Sequence, residues 1–171
     1  ENRVQELELK HPDLPSSLRW HFIGHLQKNK VRKVLPLSET IHSVDSLDIA
    51  RRINAIAHEL GLFPKIYIQV NHAKESTKFG FSPEELSSSF DSLIQLDRIE
   101  IEGLMLIPPF DSDPENVRTE FAELRKLRDE LEQNHDIKLP GLSMGMSNDF
   151  HVAIEEGSTS VRIGSSIFGK R

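Results

Sequence analysis

The sequence contains no cysteine, which excludes disulfide bonds and thiolate metal sites and favours an intracellular protein over a secreted one. It has no apolar run near the roughly 20 residues that a membrane-spanning helix needs, and no signal-peptide pattern opens it. Basic residues are outnumbered by acidic ones, 21 to 27, and the resulting net charge of −6 disfavours a nucleic-acid partner. We therefore expect a cytoplasmic protein with neither a membrane nor a nucleic acid as its partner.

Two glycine-rich phosphate loops are missing as well, because neither G-x-G-x-x-G nor G-x-x-x-x-G-K-[ST] occurs in the sequence. An open doubly wound sheet usually carries such a turn after its first strand, so their absence weakens that architecture. Glycine and polar residues instead gather after the last predicted strands, which suits a closed barrel.

What the sequence does have is a regular alternation of strand and helix patterns. Six segments read as strands: Trp20–Ile23, Thr40–Val44, Ile66–Asn71, Glu102–Ile107, Gly141–Met144 and Ser160–Ile163. Apolar residues at spacings of three and four predict helices over Val4–Lys10, Lys28–Val34, Ser46–Leu60, Glu115–Gln133 and Asp149–Glu156, and another that begins after Ser82. Such alternation predicts a parallel sheet with right-handed crossovers.

We therefore predict an α/β fold, a parallel (β/α)8 barrel of the TIM type, in a single domain over residues 1–171. Six units fall one to two short of a barrel, which typically needs about 250 residues. Because the chain opens at Glu1 rather than Met, inside a polar segment that already reads as helix, we expect the missing N-terminal units to precede Glu1.

The strongest candidate site is the segment Val161–Gly169. Alternation along the strand turns Arg162 into the barrel, where a guanidinium is costly unless acceptors surround it. The segment Gly164–Ser166 then leaves the strand with exposed amides and two hydroxyls, a pattern that cradles a phosphate. The alternative is a plain strand-to-helix turn with an internal arginine ion pair.

A second candidate is Gly141–Gly145, which matches the G-x-S-x-G pattern of serine hydrolases. A triad needs an acid and a histidine that can align with Ser143, and the only later histidine, His151, follows within the next short helix. We therefore expect Ser143 to supply a hydroxyl to the phosphate instead.

The sequence gives little support for a metal site or for a Schiff-base lysine. His21 and His25 are four residues apart on a strand, which spans about 13 Å and is too far for one ion, so no metal is expected. Lysine is absent from the carboxyl ends of the predicted strands, and Lys74 and Lys78 in a polar loop are the nearest substitutes for a Schiff-base nucleophile.

Several motifs together resemble one family, the pyridoxal 5′-phosphate (PLP) homeostasis proteins, whose single barrel is similar to the N-terminal domain of alanine racemase. They occur in order along the chain, at Glu1–Glu6, Trp20–Lys30, Ile41–Asp45, Gly103–Met105, Leu142–Ser147 and Glu156–Gly164.

The resemblance implies how PLP would be held. Ser143, Gly164 and Ser165 would bind the phosphate, and Arg162 would face the pyridine nitrogen. Two further residues would line the ring: Asn2, at the end of the second family strand, and Met105, on the inner surface of the barrel. The family's Schiff-base lysine lies at the end of the first strand, so the resemblance implies that it lies upstream of Glu1 and that residues 1–171 contain no catalytic residue.

The resemblance also implies a function. We expect a protein that buffers PLP and delivers it, with PLP-dependent apo-enzymes as possible recipients, no reaction of its own, and a monomeric or weakly dimeric state. Two alternatives stay open: a racemase-like enzyme that acts on amino acids, and a barrel that binds another small phosphate.

Overall fold

The computed structural model describes residues 1–72 and 79–169, and the strands and helices alternate along them as predicted. Six strands are present in these ranges: β1 (His21–Phe22), β2 (Thr40–Val44), β3 (Lys65–Val70), β4 (Glu100–Leu106), β5 (Gly141–Met146) and β6 (Ser160–Arg162). The helices are α1 (Val4–Lys10), α2 (Val31–Val34), α3 (Leu47–Leu60), α4 (Pro83–Ile94), α5 (Arg118–His135), α6 (Phe150–Glu155) and α7 (Ser165–Phe168). The predicted strand boundaries agree with the observed ones to within two residues.

All six strands belong to one parallel sheet, in the order β1-β2-β3-β4-β5-β6. Sequential order is typical of a barrel, whereas a doubly wound sheet reverses its order at a switch point. The sheet is curled, because the side chains of His42 on β2 and Ser143 on β5 meet although two strands lie between them. Their Nδ1 and Oγ atoms are 2.7 Å apart. In a flat sheet that interval would measure about 14 Å. The α/β class and the parallel sheet are thus confirmed.

The two faces of the sheet differ in chemistry because successive side chains point to opposite sides. The outward face is apolar and packs with the helices in one core, to which β3 contributes Ile66, Ile68 and Val70. The inward face carries polar and aromatic side chains, among them His42, Tyr67, Gln69, Ser143 and Arg162. The curl therefore collects polar groups on the concave side.

The helix ends follow the signals in the sequence. Ser46 accepts a hydrogen bond from the Ile49 amide and begins α3, and Gly61, at φ 68°, ends it. Ser82 and Glu85 form a capping box at the start of α4. The predicted Lys28–Val34 helix is divided into a 3-10 turn followed by the short α2. Within the described ranges, no helix combines the length and apolar character needed to cross a bilayer.

Candidate functional site

A cavity of about 680 Å³ opens on the concave side of the sheet, and both edges of the sheet contribute to its wall. His21 comes from β1 and Arg162 from β6, and Asn2 and Gly164 lie beside them. This volume is in the range of small-molecule sites. Three of the residues predicted from the sequence, Asn2, Arg162 and Gly164, therefore share one cavity.

Arg162 points inward, as the strand alternation predicts, and its guanidinium is anchored by three oxygen acceptors. Nη1 donates to the carbonyl oxygen of Ser143 at 2.7 Å and to its Oγ at 2.8 Å, and Nη2 donates to the carbonyl oxygen of Leu106 at 2.7 Å. A guanidinium has five N–H donors, so two stay available to a ligand within the described part of the chain. Burial lowers the pKa of Arg162 to about 10, and the nearby Asp149 carboxylate opposes this shift. Arg162 is therefore a fixed cation at neutral pH.

The loop after β6 presents its amides to a single oxygen atom. The amides of Gly164 and Ser166 both donate to Ser147 Oγ, at 3.2 Å and 3.4 Å. Two amides that converge on one oxygen have the geometry that an anion oxygen requires. Neither amide is bonded to a carbonyl oxygen of residues 1–72 or 79–169. Ser147, at the end of the turn after β5, is a candidate ligand that the sequence reasoning did not select.

Gly164 supplies a test of whether a ligand fits this loop. Its φ of −119° is accessible to any residue, and a Cβ built on it would meet no protein atom within 4 Å. Neither backbone strain nor packing inside the protein therefore requires glycine here. A phosphate that approaches the amide closely does require it, since a side chain would occupy the same space. The loop fits such a group.

Asn2 and Ser165 both line a second cavity of about 730 Å³, which adjoins the first and is also lined by Gly164. The chain around Asn2 runs beside β1, because the backbone nitrogen of Glu1 donates to the His21 carbonyl oxygen at 2.8 Å and the Ile23 amide donates to the Glu1 carbonyl oxygen at 2.9 Å. This pairing holds Asn2 at the cavity wall.

Ser143 and Met105 lie below the cavity rather than on its wall. They are register partners on neighbouring strands, and both side chains are completely buried. The Ser143 hydroxyl is already engaged with His42 and Arg162. Their assignment to the phosphate and to the ring stays a prediction.

Two histidines belong to the site: His21, which the sequence analysis considered only as a metal ligand, and His42, which it did not consider. His42 Nδ1 is 2.7 Å from Ser143 Oγ, and His42 Nε2 is 2.8 Å from His21 Nδ1. The Tyr67 ring stacks on His42 with centroids 4.4 Å apart. A Cβ at Gly141 would lie 2.5 Å from the Tyr67 ring, so the glycine leaves space for this stack. Strand alternation and register could have placed both histidines on the inner face.

The same geometry explains why G-x-S-x-G does not form a hydrolase site. Ser143 lies within β5 instead of at a strand-to-helix turn, and it is fully buried. His42 is close enough to act as a base, but the buried hydroxyl also accepts from Arg162 and cannot reach a substrate. His151 is exposed to solvent.

No cluster of three or more potential metal ligands occurs among residues 1–72 and 79–169. Lys74 and Lys78, the substitutes considered for a Schiff-base lysine, lie outside the described residues. In chemical terms the cavity offers a cation with free N–H donors, and the loop at its edge, which begins at Gly164, has two amides that converge on a hydroxyl in a way that suits an anion. A phosphorylated ring with an acceptor atom would satisfy both parts.

Comparison with known proteins indicates the same family as the sequence motifs. The alanine racemase N-terminal domain family matches residues 2–171. The pyridoxal phosphate homeostasis protein of Aquifex aeolicus is 46% identical over 172 residues, which cover 100% of this chain and 75% of that protein.

Solved structures also resemble the chain. PipY of Synechococcus elongatus with PLP bound is 41% identical, with a TM-score of 0.91 over 99% of this chain and 80% of PipY. Alanine racemase of Clostridium difficile, in complex with cycloserine, is 21% identical, with a TM-score of 0.78 over 99% of this chain and 46% of the racemase. The second match shows a common fold.

Proposed function

We propose that this chain, which belongs to the alanine racemase N-terminal domain family and within it to the pyridoxal phosphate homeostasis proteins, binds PLP and takes part in buffering and delivering it. One observation carries the proposal: Arg162, with two N–H groups that no described residue accepts, and Gly164, whose amide donates to the Ser147 hydroxyl rather than to a carbonyl oxygen, line the same cavity on the concave side of the sheet.

The phosphate would lie in the loop after β6. There the amides of Gly164 and Ser166 would donate to it, and the hydroxyls of Ser147 and Ser165 would complete its coordination. The sequence prediction of Ser143 as a further phosphate ligand is retained as a proposal, although its burial favours Ser147 for direct contact.

The ring would lie against Arg162, whose two free N–H donors could reach the pyridine nitrogen. When bound, PLP supplies a carbonyl that condenses with amines and a ring that withdraws electrons. A permanent cation at the pyridine nitrogen keeps it unprotonated, which weakens that withdrawal and suits a carrier. Asn2 would contact the ring at the cavity wall, and Met105 would support it from below.

The proposal includes a (β/α)8 barrel to which residues 1–171 contribute six strands, all within a single cofactor-binding domain. Support comes from the sequential strand order, from the cavity shared by both sheet edges, and from the pairing of Glu1 with β1. We also propose that a lysine outside residues 1–171 binds the cofactor covalently. Borohydride reduction of the longer gene product with PLP, followed by peptide mass mapping, should place the adduct there; an adduct on Lys74 or Lys78 would contradict it.

We further propose that the protein has no reaction of its own, that PLP-dependent apo-enzymes receive the cofactor, and that it is a monomer or weak dimer. The name of the Aquifex aeolicus relative, a homeostasis protein, supports the first point. Racemisation of alanine by the PLP-loaded protein, followed by chiral chromatography, would overturn the first.

Equilibrium dialysis tests the central proposal with three ligands: PLP, pyridoxal and glucose 6-phosphate. We expect PLP to bind at least tenfold more tightly than either of the others, because only PLP uses both the loop and Arg162. Equal affinity for PLP and the sugar phosphate would indicate a general phosphate site, and an absence of PLP binding would overturn the proposal.

A further inference from the structure

A line of hydrogen bonds crosses the concave face from His21 to Arg162. His21 Nδ1 meets His42 Nε2 at 2.8 Å, His42 Nδ1 meets Ser143 Oγ at 2.7 Å, and Arg162 Nη1 donates to Ser143 Oγ at 2.8 Å. We call these four residues the interior network. Its two ends line the cavity, and its middle passes through fully buried Ser143.

Counting donors fixes the direction of these bonds. The Ser143 hydroxyl has one hydrogen, and its oxygen already accepts a hydrogen bond from Arg162 Nη1. If His42 also donated to this oxygen, the hydroxyl hydrogen would have no acceptor among the residues that the structure describes. The hydroxyl must therefore donate to His42 Nδ1. His42 Nε2 then carries a hydrogen and donates to His21 Nδ1, which leaves the hydrogen of His21 on Nε2.

This arrangement requires two neutral imidazoles, and the surroundings favour that state. Burial, together with the neighbouring His21 and Arg162, lowers the pKa of His42 to about 3. Burial also lowers the pKa of His21. The charged side chains around the two rings are Arg19, Glu39, Glu102 and Arg162.

We propose that His42 is a positioning residue for the cofactor site: by accepting the Ser143 hydroxyl hydrogen it fixes the oxygen that Arg162 needs, and so aims the free N–H groups of Arg162 at the ligand. His42 is 1% exposed at the wall of the cavity, and in this role it acts through Ser143 and Arg162. The direction of the hydrogen bonds follows from the protein's own contacts and does not depend on a ligand. The effect on PLP binding rests on the proposed function.

Two amide substitutions separate the two nitrogens of His42. Asparagine places its amide near Nδ1, so His42→Asn keeps an acceptor for Ser143 and loses the contact with His21. Glutamine places its amide near Nε2, so His42→Gln keeps the His21 contact and loses the one with Ser143. Both are polar and buried alike, which makes each the control for the other. His135→Asn, at the end of α5 and away from the cavity, controls for loss of a histidine.

For the PLP dissociation constant we expect His42→Asn to remain within threefold of the original protein and His42→Gln to weaken binding tenfold or more. Equal constants for the two variants would overturn the positioning role. If the original protein bound no PLP, the proposed function would fail and the positioning of its ligand with it. Far-UV circular dichroism and the unfolding midpoint establish that each variant folds.

A second readout needs no cofactor. Long-range proton–nitrogen NMR of the imidazoles reports which nitrogen carries the hydrogen, and we expect it on Nε2 of both His21 and His42. In Ser143→Ala the His42 Nδ1 resonance should shift, because it loses its donor. A hydrogen on Nδ1 of His42 in the unsubstituted protein would contradict the bond direction, whatever the result with PLP.

Discussion

Arg162 donates a hydrogen bond to the carbonyl oxygen of Leu106 at 2.7 Å, although β5 lies between their strands. The same guanidinium also bonds to Ser143 on β5, so one side chain links three strands below the cavity. Only a planar group with several donors can span these acceptors. This makes Arg162 both a structural link and the cation of the proposed site.

The first prediction concerns Arg162→Lys. Lysine keeps the charge but cannot reach both carbonyl oxygens and the hydroxyl, so buried acceptors are left unpaired. We expect a loss of about 1–3 kcal/mol in the free energy of unfolding, measured with denaturant, and at least tenfold weaker PLP binding. Arg118→Lys, in a surface ion-pair cluster with Glu115, Glu155 and Glu156, should leave the PLP dissociation constant unchanged. Unchanged binding in Arg162→Lys would contradict the assignment.

The second prediction separates the roles of two glycines. Gly164→Ala places a methyl group in open space, so we expect an unchanged free energy of unfolding but at least tenfold weaker PLP binding. Gly61→Ala forces a left-handed conformation at the end of α3, where φ is 68°, and should cost about 1 kcal/mol of stability while PLP binding stays the same. Denaturant unfolding and dialysis on both variants test the pair. PLP binding unaffected by Gly164→Ala would remove the main support for a phosphate in this loop.

The sequence predicted the elements well because their signals are local. Apolar spacing and caps such as Ser46 and Gly61 act over a few residues, and the inward direction of Arg162 follows from strand alternation. The same rule would have placed His21 and His42 on the inner face, had the register of β1 and β2 been considered.

Contacts between distant segments were not predictable in this way. Ser143 and His42 are 101 positions apart, and they meet only because the sheet curls. Ser147 was overlooked for a related reason: it follows a strand, in a turn whose path depends on how the next β/α unit packs against it. The periodicity of apolar residues carries no information about the contact of Ser143 with His42 or about the position of Ser147.

The third prediction is a pH dependence of stability. His42 has a pKa of about 3 when folded, against 6.5 as its ordinary value. As the pH falls through 6.5, the unfolded chain takes up a proton that the folded protein does not, so stability decreases until about pH 3. At pH 5 this amounts to about 2 kcal/mol. His42→Asn removes the contribution, so its free energy of unfolding should fall less between pH 7.5 and pH 5. Identical decreases in both proteins would show that His42 is not buried in the neutral form.

The fourth prediction asks which serine binds the phosphate. Ser147 Oγ lies where two loop amides converge, whereas Ser143 Oγ is buried and bonded to His42 and Arg162. Loss of a hydrogen bond to a charged group costs about 1.5–3 kcal/mol, or roughly tenfold or more in affinity. We expect Ser147→Ala to weaken PLP binding by that factor and to leave pyridoxal binding unchanged, since pyridoxal has no phosphate.

Ser143→Ala should behave differently, because it acts through the position of Arg162. It should weaken the binding of PLP and of pyridoxal by similar factors, and it should lower the free energy of unfolding by about 1–3 kcal/mol, since His42 and Arg162 both lose a buried partner. Dialysis with the two ligands, together with denaturant unfolding, distinguishes the variants. A loss confined to PLP in Ser143→Ala would instead make this hydroxyl a direct phosphate ligand, and it would mean that the buried side chain turns toward the cavity when the cofactor binds.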